Sequence, residues 1–153
     1  MKVFTGADEL RVAAGEQLGV SNRMTIDQQR VNAFADATED HQWIHLDPQR
    51  AAAGPFGTTI AHGFLTLSLL PHLTDQVYRV EGTTMMINYG LNKVRFPAPV
   101  PVGSTVWADV TLAETTELTG VTRGLQLVLH TTLWVEGVTK PGCVADYVVR
   151  VYF

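Results

Sequence analysis

A chain of 153 residues has the length of one domain and enough material to bury a core. With 46% hydrophobic and 17% charged residues it is apolar for a protein in water, which calls for a largely buried sheet or helix, or an interface with a second copy. The net charge of −4, with the 11 Lys and Arg scattered and no basic run, excludes the electrostatic footprint of a nucleic-acid binder.

The single cysteine, Cys143, rules out an internal disulfide and fits a reducing compartment. The opening "MKVFTGADEL" has no apolar core of a signal peptide, so the expected location is cytoplasmic. The longest apolar stretch, around Phe64 to Leu70, is interrupted by Thr66 and Ser68 and followed by Pro71. It is far short of the ~20 residues a membrane helix needs. No repeat or low-complexity linker divides the chain, so residues 1–153 are expected to form one domain.

In chain order, the run Thr25-Ile-Asp-Gln28 has the form of a capping box and predicts a helix start at Thr25. Val31, Phe34 and Ala35 then share one helical face. Asp47 before Pro48 predicts a short second helix, "PQRAAAG", stopped at Gly54. "GPFGTT" is a turn. From about His62 to Tyr78 a longer helix is expected, apolar over most of its circumference and therefore buried, with a kink at Pro71.

After Glu81-Gly82 the period becomes two. Val106, Ala108, Val110 and Leu112 alternate with Thr105, Trp107, Asp109 and Thr111, and Leu125, Leu127, Leu129, Leu133 and Val135 lie on one face of the next run. "FPAPVPVG" at 96–103 must be a connection, because prolines donate no ladder bonds. "CVADYVVRVYF" closes the chain as a strand apolar on both faces. The fold class is α+β, one antiparallel sheet wrapped around one buried helix.

The chemistry concentrates in "DATEDHQWIHLDPQRAAAGPFGTTIAHGF", residues 36–64, which holds three histidines and four carboxylates. Asp40 and His45 are five apart and can converge on one water if the segment turns between them. An imidazole is the natural proton acceptor and donor near neutral pH. Gly63 sits where a loop becomes a helix, so its N–H is unpaired and a carbonyl can approach closely. An acid–base pair beside such an amide suits chemistry that develops charge on a carbonyl oxygen.

The same stretch resembles the motif region of MaoC-type dehydratases, the (R)-specific enoyl-CoA hydratases. That pattern is an aromatic residue, Gly-Asp-x-Asn-Pro-aliphatic-His-x-Asp-Pro, a run of alanines and an "AHGF/M" helix start. "INYGLNKVRFPAPVPVG" resembles the family's strand-and-proline segment, and the likeness runs from about residue 20 to the end, closest to single-hotdog members related to nodulation protein N. It implies a hotdog fold, catalytic roles for Asp40 and His45, and an oxyanion-hole role for the Gly63 amide. It implies water addition to C3 of a trans-2-enoyl-CoA, giving a (3R)-3-hydroxyacyl-CoA. No metal or redox cofactor is expected, since the thioester carbonyl is already an electron sink. A homodimer is expected, with coenzyme A or an acyl carrier protein as the carrier. Three positions depart from the motif: Glu39 stands for glycine, Gln42 for asparagine and Trp43 for proline.

Gln42 is a candidate supporting hydrogen bonder, and Lys93 and Arg95, alternating on one strand, are candidates for the coenzyme A phosphates. Lys93 and Arg95 also have an ordinary reading as exposed strand charges. His62 reads either as a substrate contact or as a structural residue bonding a nearby carbonyl. His41 and His45, four apart beside Asp40 and Asp47, suggest a metal site, but Pro48 argues against a continuous helix aligning them. The rival functions are a hotdog acyl-CoA thioesterase, in which water attacks C1, and a non-catalytic subunit of a heterodimeric dehydratase.

Overall fold

The computed structural model describes residues 1–120 and 123–153. The chain opens with β1 (Lys2–Phe4), α1 (Ala7–Val12), β2 (Glu16–Val20) and β3 (Met24–Thr25). Three helices and a split fourth follow: α2 (Gln28–Thr38), α3 (Trp43–Leu46), α4 (Pro48–Ala52), α5 (Gly63–Ser68) and α6 (Leu70–Thr74). Then come β4 (Tyr78–Val80), β5 (Met85–Arg95), β6 (Thr105–Glu117), β7 (Gly124–Val135) and β8 (Cys143–Tyr152). The main sheet runs β2-β6-β7-β8-β5, with β3 also on β6, and every neighbour is antiparallel. β1 and β4 form a separate parallel pair.

The period-two pattern is realised as expected. Val106, Ala108, Val110 and Leu112 are fully buried, and their alternates Thr105, Trp107, Asp109 and Thr111 are half-exposed. Leu112 lies opposite Leu129 and Ala108 opposite Leu133, so the inner faces of β6 and β7 form one apolar surface. Burying each such leucine is worth roughly 1.5–3 kcal/mol. Leu65, Leu69, Leu70 and Leu73 of α5 and α6 pack on this surface together with Val31 of α2 and Cys143 of β8. A second core joins Phe4, Leu10, Val77 and Tyr78 to the other end of β6, β7 and β8. The sheet thus curls around α5 and α6, the hotdog arrangement.

Several expectations need correction. The helix cap is Asp27, whose carboxylate accepts the Arg30 N–H at 2.8 Å, not Thr25, which pairs with Thr105 in β3. Gln28 therefore does not reach back; its amide turns inward, as described below. The expected long helix is two pieces, because Pro71 offers no N–H to continue the ladder, and α6 starts afresh with Pro71 in its first turn. The helix ends at Thr74, and Tyr78 belongs to β4. It is also not apolar inside and out: Phe64 is 68% exposed. β1 and β2 escaped the sequence reading, being short strands with little alternation. Among the described residues no helix is long and apolar enough to cross a membrane.

Candidate active site

The site is assembled by short helices and loops pinned on α2. α2 ends at Thr38, and Glu39 takes a left-handed conformation (φ 62°, ψ 15°) that turns the chain into Asp40. α3 carries His45, and Asp47 caps α4 by accepting the Arg50 N–H at 3.0 Å. Gln28, at the start of α2, is the clamp. Its Nε2 donates to the His45 carbonyl at 2.7 Å and to Asn32 Oδ1 at 2.9 Å, while its Oε1 accepts the Thr59 hydroxyl at 2.7 Å. One amide thus ties α2, α3 and the loop before α5 together. The Ile60 N–H donates to the Ile44 carbonyl at 3.0 Å and locks the same two segments again.

Asp40, His45 and His62 come together, with one donor atom of each within 4.8 Å of the others. Asp40 is exposed, whereas His45 and His62 are buried. His45 Nδ1 lies 2.7 Å from the Ile60 carbonyl. A carbonyl only accepts, so Nδ1 carries the proton and Nε2 is left with its lone pair. His62 Nε2 lies 2.9 Å from the Asp40 backbone carbonyl and is the donor by the same logic. The two imidazoles stack, centroids 3.7 Å apart and planes at 25°, and Phe34 lies against the other ring, 5.1 Å from His62. Burial pushes the His45 pKa below its ordinary value; the Ile60 carbonyl and Asp40 oppose this and His62 adds to it.

Three donors so close suggest a cation site, but the arrangement fits one poorly. The rings lie face to face, so their in-plane lone pairs run alongside each other rather than meeting. His62 Nδ1 is buried with no hydrogen-bond partner and no open surface. His41, the other imidazole the sequence offered as a ligand, is exposed and bonded to Asp36 at 3.1 Å.

His45 and Gly63 open onto a cavity of about 360 Å³ walled by Ile44, Phe56, Phe96 and Val100. Gly63 is the first residue of α5, so its N–H has no acceptor within the helix. A side chain there would collide with Phe96, whose ring atoms lie 3.0–3.2 Å from where a Cβ would stand. The site therefore combines a proton acceptor, a carboxylate and a free amide at the mouth of an apolar hole.

The remaining sequence candidates sit at its margins. Gln42 is exposed and caps α3 without a side-chain bond. Lys93 and Arg95 are exposed on β5, Lys93 opposite Asp146 and Arg95 directly before Phe96. The reading missed Gln28, assigned to a cap, and Phe96, assigned to a connection. A polar amide on the apolar side of a helix was the available signal for Gln28.

The family model described as MaoC like domain matches residues 10–138. The chain is 59% identical over 150 residues to 3-hydroxyacyl-thioester dehydratase Z of Mycobacterium tuberculosis, covering 98% of each. It is 42% identical over 144 residues to nodulation protein N of Rhizobium leguminosarum, covering 91% of this chain and 86% of that one. The structure of the (R)-hydratase from A. caviae involved in PHA biosynthesis superposes with a TM-score of 0.65 at 30% identity, covering 88% of this chain and 97% of that one. With the family model matched over residues 10–138 and a relative 59% identical across 98% of the chain, on a sheet wrapped around a helix, the chain belongs to the MaoC-like dehydratase family.

Proposed function

We propose that the protein is an (R)-specific enoyl-CoA hydratase, adding water reversibly and syn across a trans-2-enoyl thioester to give the (3R)-3-hydroxyacyl product. One observation carries this reading: the Ile60 carbonyl holds His45 in the tautomer whose Nε2 can accept a proton, beside Asp40 and on the cavity that Gly63 shares. In the hydration direction, Asp40 and His45 hold a water, and His45 Nε2 takes a proton from it as its oxygen bonds to C3. The C2–C3 π pair moves toward the thioester, and the negative charge gathers on the carbonyl oxygen at the Gly63 N–H. A proton delivered to C2 from the protonated pair completes the addition and resets it. Such a preorganised donor is worth about 3–4 kcal/mol in the transition state. No cofactor enters these steps. Lys93 and Arg95, exposed on the strand that leads to Phe96, are the groups proposed to meet the coenzyme A phosphates.

The thioesterase alternative needs water at C1 rather than C3. Purified protein with crotonyl-CoA decides between them: loss of enoyl absorbance without thiol release supports the hydratase, thiol release supports the thioesterase. Neither signal, with longer chains equally inert, overturns the catalytic reading. Asp40→Asn and His45→Gln are each expected to remove most activity while leaving the melting transition cooperative.

The protein is also proposed to form a homodimer along β5. This strand ends the sheet order, and Met85, Met86, Ile87, Tyr89 and Leu91 on it are all exposed. Such an edge is a ready template for a second strand. Light scattering behind size exclusion that gives a monomer mass at micromolar concentration would refute it.

A further inference from the structure

We propose that His62 is a positioning residue for the acid–base pair, its N–H anchoring the backbone of Asp40 and its ring face holding His45 in place, while it takes no part in proton transfer itself. This rests on the hydratase reading for its kinetic consequences, not for its geometry.

His62 is 2% exposed, stacked on the His45 ring and with the Phe34 ring tilted at 53° and 5.1 Å away. Its outer edge donates to the Asp40 carbonyl at 2.9 Å, 22 residues back along the chain. That single bond fixes the main chain bearing an exposed carboxylate which otherwise follows a left-handed turn at Glu39. Its other nitrogen, Nδ1, is buried with no partner. A buried unpaired acceptor is unfavourable by about 1–3 kcal/mol, so a plain phenyl ring would be the better filler if packing were the only task. An imidazole in this slot is explained by the N–H it aims at Asp40.

The titratable groups facing the His45 ring are Asp40, from the turn after α2, and His62, from the start of α5. α2 brings Gln28 and Phe34 to the pair, neither of them charged. Burial disfavours the His45 cation, and the neighbouring His62 imidazole adds to this electrostatically.

Two substitutions separate the two tasks. His62→Phe keeps the stacked ring and loses the N–H; His62→Gln keeps a donor near the Nε2 position and loses the ring. Each protein is measured for crotonyl-CoA hydration and for the His45 imidazole titration by ¹⁵N NMR, assigned with His45→Gln. For His62→Phe, kcat is expected to fall about tenfold or more with KM within about twofold, as displacement of a catalytic group predicts. Its His45 titration is expected to move up only by the loss of the imidazole's electrostatic influence, since the stacked ring keeps the site buried. For His62→Gln, kcat recovers part of that loss and the His45 titration moves to higher pH.

Wild-type kcat and an unshifted His45 titration in both variants, whatever their melting temperatures, would overturn the proposal and leave His62 a packing residue. If the wild type itself does not hydrate enoyl thioesters, the hydratase reading falls, and the titration alone decides the positioning role. A larger upward shift in His62→Gln than in His62→Phe then supports it, and no difference between the two overturns it.

Discussion

Replacing Gly63 with alanine tests whether the amide at the start of α5 is the oxyanion donor. The new methyl would stand 3.0, 3.1 and 3.2 Å from Cδ2, Cγ and Cε2 of Phe96, tighter than ordinary van der Waals contact. The Phe96 ring is 40% exposed, so it can yield by a few tenths of an ångström, and the cost to the fold should sit at the low end of the ~1–3 kcal/mol typical of overpacking. For a chain of this length the entropy of unfolding is on the order of 0.3 kcal/mol/K, so 1 kcal/mol lowers Tm by about 3 °C. The effect on turnover should be far larger. Gly63 and Phe96 both line the cavity, so the methyl narrows the wall where a thioester carbonyl would approach the N–H. Loss of one such donor lowers kcat by about 10²–10³. Crotonyl-CoA kinetics and thermal melts on Gly63→Ala, Phe96→Ala and the double variant separate the two effects. If the amide is the donor, the double variant regains stability without regaining kcat. Wild-type kcat/KM in Gly63→Ala would remove Gly63 from the mechanism, and full rescue in the double variant would show that the methyl acted only by displacing Phe96.

Glu39→Gly should raise Tm, because a non-glycine residue in the left-handed region costs about 1–2 kcal/mol, part of which glycine returns as unfolded-chain entropy; a gain of roughly 1–3 °C in calorimetry is expected, and a fall would show that the Glu39 side chain supports the turn. Gln28→Ala should cost about 1–3 kcal/mol by leaving the His45 carbonyl and the Thr59 hydroxyl without their partner, and should lower kcat more than a remote surface change of equal Tm effect. The pH dependence of stability follows from His45. Its folded pKa is depressed, so the unfolded chain binds the proton first; this contribution is complete above about 6.5 and is lost as pH falls from there through the folded value. Urea unfolding between pH 7.5 and 5 should show that acid-side loss in the wild type and a flatter profile in His45→Gln. His41 acts in the opposite sense, since its bond to Asp36 raises its pKa and favours the fold below about 6.5, so the comparison is made with His41→Gln in both backgrounds.

The parts legible in the sequence were those where a periodic pattern met a large buried surface. Val106 to Leu112 and Leu125 to Val135 alternate because one face of each strand is core, and no local preference competes with that. Asp47 and Pro48 announced α4 because capping is a local interaction, decided within four residues. Thr25 misled for the complementary reason. Its capping-box spelling was satisfied locally, but pairing with Thr105 took Thr25 into the sheet and left the cap to Asp27. Phe64 was assigned inward by its place in an apolar run, although hydrophobicity says nothing about whether a face meets the core or an open cavity mouth. In the site, the roles of Asp40, His45 and Gly63 were suggested by motif spacing. The stacking of His62 on His45 was not, because it depends on where two segments 17 residues apart are brought by Gln28 and the Ile60 backbone.

The three departures from the family motif acquire a physical account once the turn is seen. The glycine replaced by Glu39 is the residue in the left-handed region, the conformation glycine adopts at no steric penalty, so the motif's choice there is about backbone geometry and not chemistry. Glu39 can occupy it because the turn is held from outside, by the His62 N–H on the next residue's carbonyl. Gln42 does not substitute for the asparagine amide, since its side chain is exposed and caps nothing. The amide that braces the segment bearing His45 comes from Gln28 on another helix. Trp43, in place of proline, packs its ring against Gly54, where a Cβ would stand 3.1 Å from it, and under the Arg50 guanidinium at 4.3 Å. A rigid ring in the backbone is thus exchanged for a large side chain wedged between α3 and α4. Both devices stiffen the turn, one by fixing φ and the other by packing a large ring, and so the turn tolerates the exchange while the spacing from Asp40 to His45 is retained.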